Sequence, residues 1–235
     1  MHAKDIKGAT VGPNVLEEFS NRRYSDDQTL SHGDMRRVAT ALDMIGTGKR
    51  VLDIGCRDGI VSSLIKERGK NVYGIDISLN AVELTKKKGI EAYHVKEEES
   101  FPFENDFFEA VFAGEVIEHV LDTDKFIEEI RRVLSPGGVL VITTPNVATF
   151  GRRILLLFGR NPLLETTLRE RDAGHIRYFT RGCLKKLLEE HGFEVTRFTS
   201  ETVNFDGGGR FRSALLARIF PTLGRSLIMK AKKNS

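Results

Sequence analysis

The chain has 235 residues, 29% of them charged and 8% aromatic, with a net charge of +3 and two cysteines. That is enough chain for one sizeable α/β domain, and the balance excludes intrinsic disorder and a disulfide scaffold. The small net charge argues against a dedicated nucleic-acid binder, and no apolar run is long enough to span a bilayer. Cys56 and Cys183 have no metal-ligand spacing, and no secretory segment is visible, so a reducing cytoplasm is the expected compartment.

Residues 1–33 read as a polar N-terminal extension with one short helix at Val15–Phe19, and residues 34–235 as the folded domain. Asp34 is expected to cap a helix to Ile45, with Met35, Val38, Leu42 and Ile45 on its apolar face. A first strand at 50–54 is followed by a helix at 58–68, a second strand at 71–76 and a helix capped by Ser78 and ended by Gly89. Strands follow at 90–95 and 108–113, then a helix opened by Thr123 and stopped at Ser135-Pro136-Gly137-Gly138, and a fifth strand at 138–144. A helix from Thr180 to His191, a strand at 193–200, a Gly-rich link at Gly207–Gly209, an amphipathic helix near Phe211–Phe220 and a closing strand at Ser226–Lys230 complete the chain. Such alternation builds a mostly parallel, doubly wound sheet with its ligand over the carboxyl ends of the strands. Residues 147–179 are too long for an ordinary connection and read as an inserted substrate cap.

The densest signal is Val51-Leu52-Asp53-Ile54-Gly55-Cys56-Arg57-Asp58-Gly59: a strand, a tight turn and a helix start, the geometry that brings bare backbone up to a ligand. Asp76 ends the next strand, where dinucleotide folds place an acid on the ribose hydroxyls. The triple-glycine pyrophosphate fingerprint and the Gly-Lys-Ser/Thr of a P-loop are both missing. Asp53 ahead of the first glycine would repel phosphate but could hold an ammonium, which points to a nucleoside bearing an amino acid.

With Gly74–Ser78, Phe101–Phe103, Glu115–His119, Arg132–Gly138 and Thr144–Asn146 in order behind that turn, residues 34 to 200 resemble the class I S-adenosylmethionine-dependent methyltransferases. The likeness is to the small-molecule group that includes the ubiquinone-biosynthesis O-methyltransferases. It implies a Rossmann-like α/β fold with a doubly wound seven-stranded sheet of order 3-2-1-4-5-7-6, the last strand antiparallel, and helices on both faces. It also implies that Asp53 orders the turn and faces the methionine amino group, that Gly55 and Gly59 let the backbone close on S-adenosylmethionine, that Asp76 holds the ribose and that Ile77 packs on adenine. Glu97 stands where the family has an acid on the adenine amino group, with Glu98 or a backbone amide as substitutes; Cys56 and Gly114 complete the expected contacts. Arg57 replaces the usual glycine. Its side chain either reaches the cofactor carboxylate or points to solvent, the latter preferred because arginine is mostly exposed. Tyr24 is a candidate lid residue.

Chemistry is expected at Glu118, His119 and His175, with a histidine taking the acceptor's proton. Glu115, Glu118, His119 and His175 together resemble the divalent-metal site of small-RNA 2′-O-methyltransferases, where Mg²⁺ or a similar ion would orient a hydroxyl pair; the alternative is that Glu118 and His119 pack behind the cofactor. His2, His32, His94 and His191 lack a supporting pattern. Gly151–Arg160 sets a short apolar run between arginines, which suits either peripheral contact with an anionic membrane or a lid packed on the domain. The expected activity is O-methylation of a small or lipid-linked metabolite hydroxyl, for instance a quinone precursor or a glycan intermediate. RNA 2′-O-methylation and a catalytically silent cofactor-binding protein are the alternatives.

Overall fold

The structure, a computed structural model, describes residues 32–96, 98–162, 164, 174–205 and 211–234. Chain order gives α1 (His32–Leu42), β1 (Arg50–Ile54), α2 (Ile60–Glu67), β2 (Asn71–Asp76), α3 (Leu79–Lys87), β3 (Glu91–His94) and β4 (Phe108–Gly114). Then come α4 (Thr123–Val133), β5 (Leu134–Pro145), α5 (Phe150–Leu157), α6 (Arg181–Glu190), β6 (Phe193–Thr199), β7 (Val203–Asn204), β8 (Arg212–Ser213), α7 (Ala214–Ile219) and β9 (Ser226–Lys233). Seven strands form one sheet in the order β3-β2-β1-β4-β5-β9-β6, and β9 runs antiparallel to both neighbours. This is the expected order and orientation, with β9 as the seventh strand; β7 and β8 form a separate small hairpin.

Strand side chains alternate between two buried faces, which is why the strands read as nearly continuous apolar runs. Leu52, Ile54, Val111, Ala113, Leu140 and Ile142 point into the core under α4 and α6, with Ile127, Ile130, Leu184 and Leu188. Val51, Ala110, Phe112 and Val141 point the other way, toward Val38, Ala41 and Leu42 of α1 and Ile65 of α2. Helix starts follow local capping chemistry: the side chains of Ser78, Asp122, Thr149 and Thr180 each accept a backbone N–H of the first turn.

Three boundaries differ from the sequence expectation. α1 begins before Asp34, which lies in its first turn, and Met35 is exposed while Val38 and Leu42 are buried. β5 starts at Leu134, because α4 passes straight into extended chain; Leu134 pairs with Phe108 and Ser135–Gly138 are taken up in the irregular register before Ala110. Gly138 permits that, since a Cβ there would sit 2.8 Å from Ser135 O. The helix expected near Phe211–Phe220 is only Ala214–Ile219.

Candidate active site

β1 delivers the chain to the turn at the carboxyl edge of the sheet. Gly55, Arg57 and Gly59 all take positive φ (71°, 50° and 76°). Gly55 and Cys56 donate backbone N–H groups to the Ile75 carbonyl at 2.8 and 3.1 Å. A Cβ on Gly55 would lie 2.5 Å from Val116 Cγ2, so glycine is required by space as well as by φ. Asp53, at the end of β1, accepts from Ser62 Oγ, and burial pushes its carboxyl up to about 7. Asp76 is clamped by two backbone donors: Arg57 N reaches Oδ2 at 2.9 Å and Ser78 N reaches Oδ1 at 2.8 Å. Burial raises the Asp76 carboxyl, and those two hydrogen bonds oppose the rise.

Asp53, Gly55, Asp76, Ile77 and Gly114 line one cavity, as does Arg57. Arg57 is half-buried rather than fully in solvent, and its backbone amide is committed to Asp76. Cys56 also lines the cavity, with its Sγ against Gly74 and 3.5 Å from Thr85 Oγ1; burial pushes the thiol up, away from reactivity. Gly59 closes the turn on α3, where an added Cβ would come within 3.0 Å of Thr85 Cα, so it acts through packing. Glu98 is exposed and is not among the lining residues, since its segment is tied to α4 by Lys125 Nζ donating to the Glu98 carbonyl. Glu97 and Tyr24 lie outside the described residues. His94, given no role from sequence, sets Ile77 in place, with Nε2 2.9 Å from the Ile77 carbonyl.

After β4 the chain reverses through Glu115, at φ 58°, into a 3₁₀ turn at Ile117–His119. Residues 174–178 dock on this turn, with Ile176 and Arg177 N–H groups both donating to the Glu118 carbonyl at 3.0 Å. Arg177 points away from the cavity, its guanidinium donating to the Val120 and Leu121 carbonyls. That docking brings His175 beside Glu118 and His119. The two imidazoles have centroids 5.1 Å apart, and His175 Nε2 is 4.0 Å from Glu118 Oε1. His119 Nδ1 lies 3.0 Å from the Gly174 carbonyl. A carbonyl can only accept, so in the neutral ring Nδ1 carries the hydrogen and Nε2 keeps the lone pair.

Glu118 is 1% exposed. Its Oε2 accepts from Thr144 Oγ1 at 2.9 Å, whereas Oε1 is buried with no hydrogen-bond partner among the described residues. Burial, and then the neighbouring Glu115 carboxylate, push the Glu118 carboxyl well above its ordinary range. Ligand-type atoms of Glu118, His119 and His175 lie within 4.8 Å of one another. Glu115 is not part of that group: it is 3.4 Å from Arg37 Nη1 and accepts from Thr143 Oγ1, so the four-residue metal set reduces to three.

The cavity has a volume of about 1180 Å³. Asp53, Gly55, Asp76, Ile77, Val95 and Phe101 line it together with Phe150, Arg152, Leu155, Phe205, Arg225 and the Glu118 cluster. Sequence reasoning missed Arg37, which carries its charge on an otherwise apolar helix face and donates to Thr143 Oγ1 at 2.8 Å beneath the cavity. α5 is divided: Phe150 and Leu155 line the cavity, while Leu157 and Phe158 are 76% and 73% exposed. No helix among the described residues is long and apolar enough to cross a membrane.

A family model described as a methyltransferase domain matches residues 27–197. The chain is 33% identical over 139 residues to the ubiquinone biosynthesis O-methyltransferase of Chelativorans sp., covering 56% of this chain and 53% of that protein. It is 28% identical to the human mitochondrial ubiquinone biosynthesis O-methyltransferase over 63% of this chain and 42% of the relative. It thus spans about half the length of these curated relatives. The fold is shared with the N-methyltransferase NodS of Bradyrhizobium japonicum in complex with S-adenosyl-L-homocysteine, at TM-score 0.64 and 15% identity, covering 94% of this chain and 99% of that one. Joined to the strand order and the glycine turn, these matches make the chain a member of the class I S-adenosylmethionine-dependent methyltransferases.

Proposed function

We propose that this methyltransferase methylates a hydroxyl of a small or lipid-linked metabolite. The observation that carries the reading is a cavity of about 1180 Å³, above the range of about 300–1,000 Å³ typical of small-molecule sites, whose lining joins the Glu118–His119–His175 cluster to the apolar side chains of Phe150, Leu155 and Phe205. When bound, S-adenosylmethionine supplies an electrophilic sulfonium methyl group. Asp76 would accept from the ribose hydroxyls, Ile77 would pack on the base, Asp53 would face the amino group and Arg37 the carboxylate. His119 takes the acceptor's proton at Nε2 while the Gly174 carbonyl fixes the ring; Glu118 and His175 hold the charge that results. The exposed side of α5 and the residues after it, where Arg153 and Arg160 flank exposed Leu156 and Leu157, supports peripheral contact with an anionic membrane.

A second reading, metal-assisted RNA 2′-O-methylation, has one observation in its favour. Glu118, His119 and His175, with the unpartnered Glu118 Oε1, fit a divalent cation, which would lower the pKa of a bound hydroxyl. The net charge of +3 and the apolar side chains of Phe150, Leu155 and Phe205 in the cavity lining favour the metabolite. Tritiated-methyl transfer to fractionated cell extract separates the two. Label in the lipid or polar-metabolite fraction supports the proposal, and label confined to RNA supports the second reading.

A further inference from the structure

Beside the active-site cavity lies a second cleft, of about 500 Å³, that shares only Asn146 with it. The charged residues lining this cleft are all cationic: Arg153 of α5, and Arg181 and Lys185 of α6. Thr180 caps α6, so Arg181 is its first residue, and Lys185, four residues on, falls on the same helical face. The rest of the lining is polar or small, Thr180, Gly182, Ala148 and Thr222 among it.

The positive charge here is not balanced by the fold. Arg153 donates from Nε to the Ala148 carbonyl at 2.7 Å and from Nη2 to the Thr222 carbonyl at 3.3 Å. These neutral acceptors fix the guanidinium plane and leave its charge in place. Arg181 lies over the Phe198 ring, with Cζ 5.0 Å from the centroid, which orients it without using its N–H groups. Among the described residues neither arginine makes an ion pair with an acid. Lys185 does have one, Glu189 at 2.7 Å, but that acid is outside the lining and both side chains are about half exposed, a kind of pair that holds weakly. The start of α6 adds to the field. Thr180 Oγ1 accepts from Cys183 N and the Thr180 carbonyl from Leu184 N, while the first-turn N–H groups of Arg181 and Gly182 have no acceptor among the described residues.

We infer that this cleft binds a phosphoryl group, held by the guanidinium groups of Arg153 and Arg181 together with Lys185 and the first turn of α6. Guanidinium forks and helix-start amides suit a tetrahedral oxyanion. Three cations less one acid leave two positive charges, which a phosphate monoester matches and a single carboxylate does not. A group bound there joins α5, whose Phe150 and Leu155 line the active-site cavity, to the helix that follows the His175 segment. The site stands apart from the methyl acceptor and does not depend on its identity.

The test measures binding to the full chain by calorimetry, at constant ionic strength set with chloride. Inorganic phosphate and glycerol phosphate should each fill one saturable site, with acetate about tenfold or more weaker. The double variant Arg153→Gln, Arg181→Gln should weaken both phosphates about tenfold or more, and Arg153→Lys, which keeps the charge and loses the fork, should fall between. Lys86→Gln with Lys87→Gln removes the same charge from exposed positions of α3 and should change nothing. Melting temperature reports the fold of each variant. Phosphatidylcholine vesicles with and without phosphatidic acid separate the sources of the group. Retention that needs phosphatidic acid and both arginines, and that soluble phosphate reverses, identifies a lipid headgroup; phosphate binding with vesicle retention indifferent to the arginines identifies a soluble phosphate compound. No saturable phosphate binding, acetate binding as tightly, or equal weakening in the lysine control would overturn the inference.

Discussion

Replacing Asp76 with alanine removes the carboxylate assigned to the ribose. In the folded protein that carboxylate already accepts from Arg57 N at 2.9 Å and Ser78 N at 2.8 Å. Each oxygen has a second lone pair for a ribose hydroxyl. Hydrogen bonds to a charged group are worth about 1.5–3 kcal/mol, so Asp76→Ala should weaken S-adenosylhomocysteine binding roughly 10- to 150-fold. The free protein also loses an acceptor for two backbone amides, which costs about 1–3 kcal/mol of stability, offset in part because a buried carboxylate is no longer desolvated. Asp76→Asn keeps one oxygen and should fall between wild type and alanine in affinity. Calorimetry with S-adenosylhomocysteine, alongside thermal melting of the free protein, separates the two effects. A variant that melts earlier yet binds as wild type would mean that Asp76 only shapes the turn, and would refute the ribose assignment.

Asp53 gives a pH signature. Its carboxyl titrates near 7 in the fold against an ordinary 3.8, so folding stability at this site is fully present below pH 3.8 and is lost as pH rises through about 7. S-adenosylhomocysteine binding at pH 6 should therefore release a proton, read as a binding enthalpy that changes with the buffer's ionisation heat; in Asp53→Asn the release should vanish. His119→Ala and His175→Ala are expected to lower kcat about 10²- to 10⁴-fold while leaving cofactor affinity within error, and a loss of cofactor binding instead would make both residues structural. Full activity after dialysis against a chelator would exclude the metal reading of Glu118, His119 and His175. Anionic vesicles should sediment the protein at low salt, each nearby arginine contributing about 1 kcal/mol, and Leu156→Asp should release it without unfolding; no sedimentation at any salt would leave α5 as a cavity wall only.

The inner half of this site was legible in sequence because it is local. Strand, glycine turn and helix fix Asp53, Gly55 and Gly59 within a few residues of one another, and the parallel pairing of β1 with β2 carries Asp76 to the same edge. Cys56 shows the limit of that logic. Side chains in a turn follow neither the strand nor the helix period, so spacing alone does not say that Sγ faces Gly74. The outer half is assembled over long sequence separations. Arg37, Asn146, Arg152 and Arg225 converge only once β9 inserts between β5 and β6, and no periodicity records that. The fold brings His175 beside Glu118 and His119, whereas Glu115, one turn earlier, is claimed by Arg37, a partner 78 residues away.

A crystal structure with S-adenosylhomocysteine bound tests the central claim most directly. The expected density puts the ribose on Asp76, the amino group against Asp53 and the carboxylate toward Arg37, with the sulfur facing His119 and His175. A ligand whose ribose lies away from Asp76, or whose sulfur is walled off from both histidines, would contradict the site as assigned here.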